Sequence, residues 1–398
     1  MTSNGTHDFL EPPQSDGELG RLGPYRVVGL LGKGGMGHVY QAEDTRLQRT
    51  VALKVMNQRF ASTPHSRQRF IDEARSMAAV QHDNVAMIFE VGQKAIAESK
   101  SATPFMAMEM LQGETLEAAL AAGRTFDVDE ILSVARQTAS GLVAAHERGI
   151  THRDIKPANL WIQAPGDRIK ILDFGLALSG SGVDQLSETG SVVGTPGYLA
   201  PEQARNEPVD DRTDLYALGV VMYEMTTGKL PLLAKTVAAH LITIICHEPT
   251  PITNVRSDVP EPLANLIMRL LSKEPRDRIA TATDLVDTLD HVSSEIADQN
   301  QQQLSIEVVP EENASTRPRT SSSSTAPSDA SAAGKKWSKW LAVGTVAAAV
   351  LIIAGWSLSR PRRVAQTPRP LSSDGAGSQR SAAPDPVAAP VSVVSLKT

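Results

Sequence analysis

The chain has one cysteine, Cys246, among its 398 residues. It therefore cannot form an intramolecular disulfide framework or a cysteine-rich metal site, which suits a reducing compartment. Aromatic residues are scarce at 4%, and the formal net charge of −6 gives no sign of the basic surface that nucleic-acid binding usually shows. No nucleic-acid partner is therefore predicted. The N-terminus has neither a basic region nor an apolar core, so no signal peptide is predicted.

Two segments without large apolar residues border the predicted folded part. Residues 1–24 are polar and contain Gly and Pro, and residues 294–336 are rich in Gln, Ser, Thr and Pro. Such segments cannot bury enough apolar surface to offset the entropy lost on ordering, so we predict a disordered N-terminus and a disordered linker. Residues 25–293, between them, have periodic apolar segments and short loops, and are predicted to fold.

One long apolar run follows the linker. Leu341–Leu358 is eighteen residues without a charge, about 27 Å long as an α-helix. The indoles of Trp337, Trp340 and Trp356 stand at its ends, where they favour a membrane interface. We predict a transmembrane helix over residues 337–359 and a disordered Pro-, Ala- and Ser-rich tail over 360–398. The alternative, a buried core helix, has no neighbouring core to pack on.

Apolar periodicity divides residues 25–293 into a β-rich part and an α-rich part. "YRVVGLLG", "GHVYQAED" and "TVALKVM" have the β-branched content and turn signals of strands. "SRQRFIDEARSMAAVQ" places Phe70, Ala74, Met77 and Ala78 at helical spacing. After Gly113 the pattern is mostly helical, as in "DEILSVARQTASGLVAAHERG" and "DLYALGVVMYEMTTG". The fold class predicted is α+β.

The segment Thr151–Leu160, "THRDIKPANL", carries the most informative residues of the chain. Asp154, Lys156 and Asn159 stand at short fixed offsets, and an apolar run then leads to Asp173 in "DFG". A base, a cation that can face phosphate and two oxygen ligands for a metal are what phosphoryl transfer needs. In this interpretation Asp154 accepts the hydroxyl proton, Lys156 offsets charge on the transferred group, and Asn159 and Asp173 hold Mg²⁺.

The run "GKGGMGHV" lies between two predicted strands and supplies Gly32, Gly34 and Gly37. Glycines let the backbone approach phosphates closely. The competing interpretation, a dinucleotide-binding fold, needs a helix to open at the glycines. "HVYQAED" instead continues as a strand, which favours a hairpin folded over a nucleotide.

Lys54 lies within the apolar strand "VALK", and Glu73 lies on the following helix. We predict that Lys54 pairs with nucleotide phosphates and with the Glu73 carboxylate. Asp72 is the adjacent alternative, but it points about 100° away on the helix.

Together these motifs resemble a eukaryotic-type (Hanks-type) serine/threonine protein kinase of the bacterial membrane-anchored sort, over residues 25–293. The resemblance implies a small β-rich lobe (25–110), a larger helical lobe (111–293) and Mg²⁺, or alternatively Mn²⁺, with ATP in the cleft between them. It implies a nucleotide site formed by the following residues: Gly32, Lys33, Gly34, Gly35, Gly37, Val39, Ala52, Lys54, Glu73, Met108, Glu109 and Leu111. Within this set, Met108 guards the back of the pocket, and the backbone of Glu109–Leu111 meets adenine.

Further motifs match structural parts of the same family. "GTPGYLAPEQ" resembles the substrate-facing loop, with Glu202 in the position that pairs with a late arginine, here Arg278. Asp214 matches the acid that braces the catalytic loop. Lys156 and Thr195 resemble the residues that serine/threonine kinases have at these positions, and not those of tyrosine kinases.

The resemblance also implies how the protein is regulated and placed. Arg153 precedes Asp154, as in kinases that are activated by phosphorylation, because an arginine can capture the added charge of about −1.5 to −2. The candidate sites are Ser187, Thr189 (our first choice) and Ser191. Basic residues flank both ends of the membrane span, so the need for ATP decides the orientation and places the kinase domain in the cytoplasm. A homodimer, through the small lobe or in the membrane, is suggested by the family alone.

Two other function classes compete with an active protein kinase. A pseudokinase scaffold usually lacks the strand lysine, the catalytic aspartate or the metal-binding aspartate, whereas Lys54, Asp154 and Asp173 are all present. A kinase of small molecules has no use for the "GTPGYLAPEQ" loop, which shapes a peptide site. The sequence therefore favours transfer of the ATP γ-phosphate to protein Ser or Thr hydroxyls.

Overall fold

The computed structural model describes residues 9–34, 37–57, 61, 63–95, 102–173 and 196–307, without the side chains of residues 73, 95 and 303–307. All of them belong to Met1–Asn313, the first of two compact units of the chain, and the second, Ala314–Thr398, lies outside the described residues. The predicted span Leu341–Leu358 also lies there. Among the described residues, no helix combines the length and apolar character needed to cross a membrane.

The small lobe is an antiparallel sheet with strand order β1-β2-β3-β4-β6-β5. Its strands are Gly20–Leu22 (β1), Tyr25–Lys33 (β2), Gly37–Asp44 (β3), Arg49–Met56 (β4), Ile88–Ala95 (β5) and Ala102–Glu109 (β6). The three strands predicted from "YRVVGLLG", "GHVYQAED" and "TVALKVM" are confirmed as β2, β3 and β4. Side chains from both the strands and the N-terminal segment form one apolar cluster, which includes Val27, Tyr40, Leu53 and Phe105.

The prediction that residues 1–24 are wholly disordered is wrong for residues 9–24. Strand β1 pairs with β2, and Glu11 forms a β-bridge with Arg21. Phe9 is buried and packs edge-to-face on Tyr40, with ring centroids 5.7 Å apart. The segment is ordered because its few apolar residues reach the core of a neighbouring sheet, an outcome that local composition does not reveal.

A helix follows β4, as its apolar periodicity predicts. Pro64–Ala78 (α1) begins after the N-cap Thr63, whose side chain accepts a hydrogen bond from the Ser66 backbone. Phe70, Ala74 and Met77 are buried on one face of α1, next to β5 and β6. This face places the rest of the helix, with Glu73, beside the sheet.

The large lobe is mostly helical and is organised around one buried helix. Its helices are Leu116–Ala121 (α2), Val128–His146 (α3), Pro201–Ala204 (α4), Arg212–Thr227 (α5), Val237–Cys246 (α6), Ile252–Val255 (α7), Glu261–Leu270 (α8) and Ala282–Glu307 (α9). Helix α5 is buried along nearly its whole length, which explains why "DLYALGVVMYEMTTG" is apolar all round.

A small three-stranded sheet borders the catalytic segment. Its strands are Gly113–Thr115 (β7), Leu160–Gln163 (β8) and Arg168–Ile171 (β9), paired in the order β7-β8-β9. The chain between α3 and β8 is the predicted catalytic segment, and β9 leads directly to Asp173. These two segments are therefore held side by side by the hairpin β8–β9.

Helix α9 corrects the predicted start of the linker at residue 294. The helix continues to Glu307, and Val292 and Ile296 are still buried against the core. Glutamine has a straight side chain that loses little freedom in a helix, so the "QNQQQ" run extends a helix that packing has already fixed.

Candidate active site

The catalytic segment brings Asp154, Lys156 and Asn159 into direct contact. Lys156 Nζ lies 2.7 Å from Asp154 Oδ2 and 3.0 Å from Oδ1. Asn159 Nδ2 donates to the Asp154 backbone oxygen at 2.8 Å and to Asp154 Oδ2 at 3.0 Å. The short 3₁₀ turn Pro157–Asn159 folds the chain back so that residues five apart can meet. The spacing that pointed to a base, a cation and an amide is thus a spatial cluster.

His152 ties this segment to the strand that carries Asp173. Its ring is fully buried, and Nε2 lies 2.9 Å from the Leu172 backbone oxygen. The Leu172 backbone N–H donates to the Asn159 backbone oxygen at 2.8 Å. These bonds fix the residue before Asp173 against the catalytic segment, so that Asn159 and Asp173 are brought to the same side.

Asp214 supports the catalytic segment through hydrogen bonds to its backbone, as its match to the family motif implies. Its fully buried carboxylate accepts hydrogen bonds from the backbone N–H groups of His152 and Arg153, each at 2.7 Å. His146 Nε2 lies 2.9 Å from the same carboxylate. Arg153 has a left-handed backbone with φ of 66°, a conformation that costs energy for a non-glycine residue. The Asp214 carboxylate stabilises that conformation.

Glu202 and Arg278 form the buried ion pair that the sequence predicts. Two parallel hydrogen bonds of 2.7 Å join the guanidinium to the carboxylate, and Thr213 donates to Glu202 Oε1 at 2.8 Å. Burial alone would raise the pKa of Glu202, but the hydrogen bonds and charge of Arg278 outweigh it and hold the pKa below its ordinary value. Next to Glu202, Gln203 donates to the Arg153 backbone oxygen at 2.9 Å, which links this ion pair to the catalytic segment.

Strand register gathers the predicted nucleotide-site residues of the small lobe on one face. Gly32 lies opposite Val39, which lies opposite Lys54. Ala52 lies opposite Met108. Alternate residues of a strand share a face, so Ala52 and Lys54 point to the same side, together with Val39 and Met108. Lys54 points towards Asp173, so this is the face that lines the cleft.

The glycine-rich run connects the paired strands β2 and β3. Gly34 N–H donates to the Gly37 backbone oxygen at 2.8 Å, and Lys33 is exposed opposite His38. A Cβ at Gly37 would stand 2.2 Å from the Val55 backbone oxygen, so only glycine fits there. Gly35 lies outside the described residues. The continuation of the run as a strand confirms a hairpin, in place of the helix that a dinucleotide-binding fold needs.

Lys54 Nζ lies 2.6 Å from Asp173 Oδ2. The lysine is buried, whereas about a third of the aspartate side chain is exposed to the cleft. The predicted pairing of Lys54 with Glu73 concerns a side chain outside the described part of the structure. What the geometry shows is that the strand lysine and the acid of "DFG" reach the same point between the lobes.

The connection between the lobes runs from Glu109 to Leu111. Glu109 ends β6, and its backbone N–H donates to the Met87 backbone oxygen at 2.9 Å. Within the described residues, the Leu111 backbone makes no hydrogen bond. A backbone donor and acceptor without a partner at this connection fit the edge of a planar heterocycle such as adenine.

The residues around Asp173 fit a hard divalent cation. Asn159 donates from its amide nitrogen, which leaves its amide oxygen without a hydrogen-bond donor among the described residues. No group of three or more His, Cys, Asp or Glu residues in the described ranges could hold a metal by itself. One carboxylate, one amide oxygen and phosphate oxygens together make the kind of site that Mg²⁺ uses with nucleotides.

A cavity of about 710 Å³ opens on the large lobe beside the catalytic segment. Pro157 and Tyr198 contribute to its wall, and the carboxylates of Glu117 and Glu224 line it. Tyr198 donates to Glu224 at 2.6 Å. Burial raises the pKa of Glu224, and the charge of Glu117 adds to that rise, whereas the Tyr198 hydrogen bond opposes it. The predicted substrate-facing loop therefore borders a groove large enough for side chains of a peptide.

Sequence reasoning missed three residues of this site. His146 closes the Asp214 cluster from the end of α3, Gln203 holds the Arg153 backbone, and Lys170 donates to Glu109 at 2.8 Å. Gln203 ends the "GTPGYLAPEQ" motif and Lys170 lies three residues before Asp173, so both stand next to residues that the sequence singles out. His146 has no local signal, because its partner is 68 residues away.

The family model of the protein kinase domain matches residues 25–289. Serine/threonine-protein kinase Pkn1 of Myxococcus xanthus is 38% identical over 264 residues, which are 66% of this chain and 37% of Pkn1. Serine/threonine-protein kinase PrkC of Bacillus subtilis is 33% identical over 263 residues, which are 66% of this chain and 39% of PrkC. The chain therefore corresponds to well under half the length of these two relatives.

Solved structures agree with the sequence relatives. The kinase domain of PknI from Mycobacterium tuberculosis superimposes with a TM-score of 0.55 at 25% identity, over 70% of this chain and 100% of that domain. The family match, the two lobes, the contact of Asn159 with Asp154 and that of Lys54 with Asp173 lead to one conclusion. The chain belongs to the protein kinase family.

Proposed function

We propose that this protein is a serine/threonine protein kinase that transfers the γ-phosphate of ATP to Ser or Thr hydroxyls of proteins. The observation that carries the proposal is the cluster of Asp154, Lys156 and Asn159, held against the segment that ends in Asp173. This cluster supports the roles that we propose for its members, in which Asp154 is the base, Lys156 the cation, and Asn159 and Asp173 the metal ligands. The named relatives are serine/threonine-protein kinases, which supports the same activity here.

Asp154 is the residue that accepts the proton of the attacking hydroxyl. Its carboxylate is partly exposed to the cleft and is oriented by Lys156 and Asn159. Lys156 also stands where negative charge grows on the transferred group, so its ammonium stabilises the transition state. Lys54, on the opposite wall of the cleft, orients the phosphates from the small lobe.

Asn159 and Asp173 would hold Mg²⁺, or Mn²⁺ in its place, which neutralises charge on the β- and γ-phosphates when it is bound. In the structure Lys54 and Asp173 face each other at 2.6 Å. When Mg·ATP binds, Lys54 would contact a phosphate and Asp173 would contact the metal, in place of their contact with each other. The backbone at Glu109–Leu111 binds adenine and sets the distance from there to the metal ligands.

The residues found in the site disfavour the alternative, a pseudokinase scaffold. Lys54, Asp154, Asn159 and Asp173 are all present and mutually positioned, and a binding-only protein does not need Lys156 against Asp154. The groove beside Pro157 and Tyr198 favours a protein substrate over a small molecule, because it extends the site well beyond the phosphate-transfer point.

We also propose that phosphorylation of the loop before "GTPGYLAPEQ" activates the enzyme. The candidate residues, Ser187, Thr189 (first choice), Ser191 and Thr195, lie outside the described residues. Support comes from Arg153: within the described ranges, its buried Nε has no hydrogen-bond partner. A guanidinium donor without a partner next to the catalytic base is suited to capture a phosphate.

Placement at a membrane is a further part of the proposal. The uncharged run Leu341–Leu358, with tryptophans at both ends, supports a single transmembrane helix. The kinase domain then lies on the cytoplasmic side, where ATP is, and a second copy in the same membrane could serve as a homodimer partner and substrate.

The decisive experiment compares the wild-type protein with Asp154→Asn in a phosphate-transfer assay with labelled Mg·ATP and a generic protein substrate. We expect Asp154→Asn to lower kcat by about 100-fold or more, as loss of a general base does. Asp167→Asn is the matched control, since Asp167 is an exposed turn residue with φ of 49°, a conformation that Asn tolerates. Equal incorporation by wild type and Asp154→Asn contradicts the assignment, and phosphosite mapping of the products reports Ser/Thr specificity.

A further inference from the structure

Lys170 is a lysine inside the protein. It lies on β9 and is only 7% exposed. Its Nζ donates to Glu109 Oε1 at 2.8 Å, and the Glu109 side chain is itself 21% exposed. Lysine is rarely buried unless an acid compensates its charge. The ion pair therefore marks a place where the fold holds two charges together at a cost in desolvation.

This ion pair crosses between the lobes. Glu109 ends β6 of the small-lobe sheet, whereas Lys170 lies on β9 of the large lobe. Glu109 Oε1 also accepts the Met87 backbone N–H at 2.8 Å. The carboxylate thus joins three segments, the end of β6, the chain before β5 and strand β9, at the point where one lobe leads into the other.

The two residues of the pair each adjoin one half of the proposed nucleotide site. Glu109 begins the connection to Leu111, whose backbone has no partner within the described residues. Lys170 is three residues before Asp173, on a strand whose next residues are fixed by Ile171 N–H to the Asn84 oxygen (2.8 Å) and Leu172 N–H to the Asn159 oxygen (2.8 Å). Adenine-facing backbone and metal ligand are therefore connected through one short, buried ion pair.

Stability alone does not require such a pair. A buried ion pair adds little or no net stability over well-packed apolar side chains of similar volume, but it defines one geometry. Backbone hydrogen bonds already join these segments indirectly, from Ala86 N–H to the Ile171 oxygen and from Glu109 N–H to the Met87 oxygen, each at 2.9 Å. The ion pair adds a direct side-chain contact between the end of β6 and β9. The consequence is a fixed separation between the two halves of the nucleotide site.

We propose that Lys170 is a positioning residue for nucleotide binding, acting through Glu109 to fix the interlobe connection relative to the metal-binding strand. The inference rests on the proposed function, because it concerns how that site binds ATP. Neither side chain touches the reacting atoms. Loss of the pair is expected to raise the Kd and KM of the nucleotide and to leave kcat nearly unchanged. Kd and KM report binding, whereas kcat reports the chemical step.

The test measures the Kd of Mg·ADP by calorimetry, together with KM for ATP and kcat, on the full chain. We expect Lys170→Met and Glu109→Gln each to raise the Kd by about threefold to tenfold, the range of coupling between contacting residues. The Kd of the double variant should not exceed the higher of the two single-variant Kd values, because the second change removes no further interaction. Lys170→Arg, which keeps the charge, should recover most of the affinity.

Arg168→Met is the matched control. Arg168 lies on the same strand and pairs with Asp83 at 3.5 Å, but both side chains are exposed, so its loss should leave the Kd unchanged. Should Lys170→Met lower the melting temperature while the Kd for Mg·ADP stays the same or falls, the pair is merely structural and the proposal is wrong. Independent effects that multiply in the double variant overturn it as well.

Failure of the inference differs from failure of the proposed function. A wild-type protein that neither binds Mg·ADP nor transfers phosphate contradicts both. A wild-type protein that does both, with the Lys170 and Glu109 variants unchanged in Kd, contradicts the inference alone. If Lys170→Met does not fold, Glu109→Gln, which preserves volume and polarity but removes the charge, decides the question by the same Kd comparison.

Discussion

Charged side chains serve different purposes in the two lobes. In the large lobe, the Asp214 and Glu202 carboxylates are almost fully buried and each accepts hydrogen bonds from distant parts of the chain. In the small lobe, the ion pair of Arg26 with Glu43 joins neighbouring strands at the surface, with more than a third of each side chain exposed. Buried groups without partners cost far more than exposed ones, so loss of a partner should cost more at Asp214 and Glu202 than at the exposed Arg26–Glu43 pair.

The difference follows from what each lobe must hold. The catalytic segment has irregular backbone, including the left-handed Arg153, and strand pairing cannot fix such a conformation. Buried carboxylates replace the missing regular hydrogen bonds. The small-lobe wall of the cleft consists of regular strands, where register alone places Val39, Lys54 and Met108.

Removing the Asp214 acceptor should have the largest effect. In Asp214→Asn an amide NH₂ takes the place of one acceptor oxygen, so one of the His152 and Arg153 N–H groups loses its bond and the Asp154 carboxylate shifts. We expect kcat to fall by about 100-fold, since small misplacements of catalytic groups have effects of that order. Initial-rate kinetics with Mg·ATP measure it.

Asp211→Asn provides the contrast. Asp211 accepts a hydrogen bond from the Thr151 hydroxyl at 2.8 Å and lies 3.9 Å from His146 Nε2, but 44% of its side chain is open to solvent. Its kcat should stay near that of the wild type. Equal losses in the two variants show that burial of the Asp214 carboxylate has no special role.

The second prediction concerns the ion pair of Arg278 with Glu202. Arg278→Met leaves the Glu202 carboxylate buried and without a cation, and we expect the free energy of unfolding to fall by about 3–5 kcal/mol. Arg256→Met, which removes an exposed pair with Asp258, should cost less than about 1 kcal/mol. Denaturant unfolding measures the free energy of unfolding of both variants. Similar losses in the two variants contradict the prediction.

The small lobe should show the reverse dependence. Leu53 is fully buried in the sheet core, and Leu53→Ala is expected to lower the free energy of unfolding by about 2–5 kcal/mol. Arg26→Gln, which removes the surface pair with Glu43, should change it by less than about 1 kcal/mol. A larger loss from Arg26→Gln than from Leu53→Ala contradicts the view that apolar packing maintains this lobe.

Glu18 sharpens the comparison, because it is a buried small-lobe carboxylate whose donors are local. The hydrogen bond from the Gln14 backbone is the main cause that lowers the pKa of Glu18 from 4.5 to about 2. A folded-state pKa below the unfolded value means stabilisation that is fully present above pH 4.5 and is lost as pH falls towards 2. We expect the smallest effect here, seen as a shallower acid dependence of the melting temperature in Glu18→Gln. Identical pH profiles for Glu18→Gln and wild type contradict this prediction.

Much of the fold followed from periodicity. Strands β2 to β4 and helices α1, α3 and α5 were predicted because each has apolar periodicity or a turn signal within its own sequence. The errors lie at the two ends of the folded part. Residues 9–24 and 294–307 have weak local signals, and their order comes from Phe9 and Ile296 packing on elements distant in the chain.

The sequence by itself determined the candidate site for phosphoryl transfer: Asp154, Lys156, Asn159 and Asp173 are close together in the chain, so a linear pattern suffices to predict it. Only the tertiary structure decided how that site is held. His146 on Asp214, Gln203 on the Arg153 backbone and Lys170 on Glu109 are each contacts between residues 50 or more apart. Such contacts depend on which elements pack together, and no periodicity or motif within one segment contains that information.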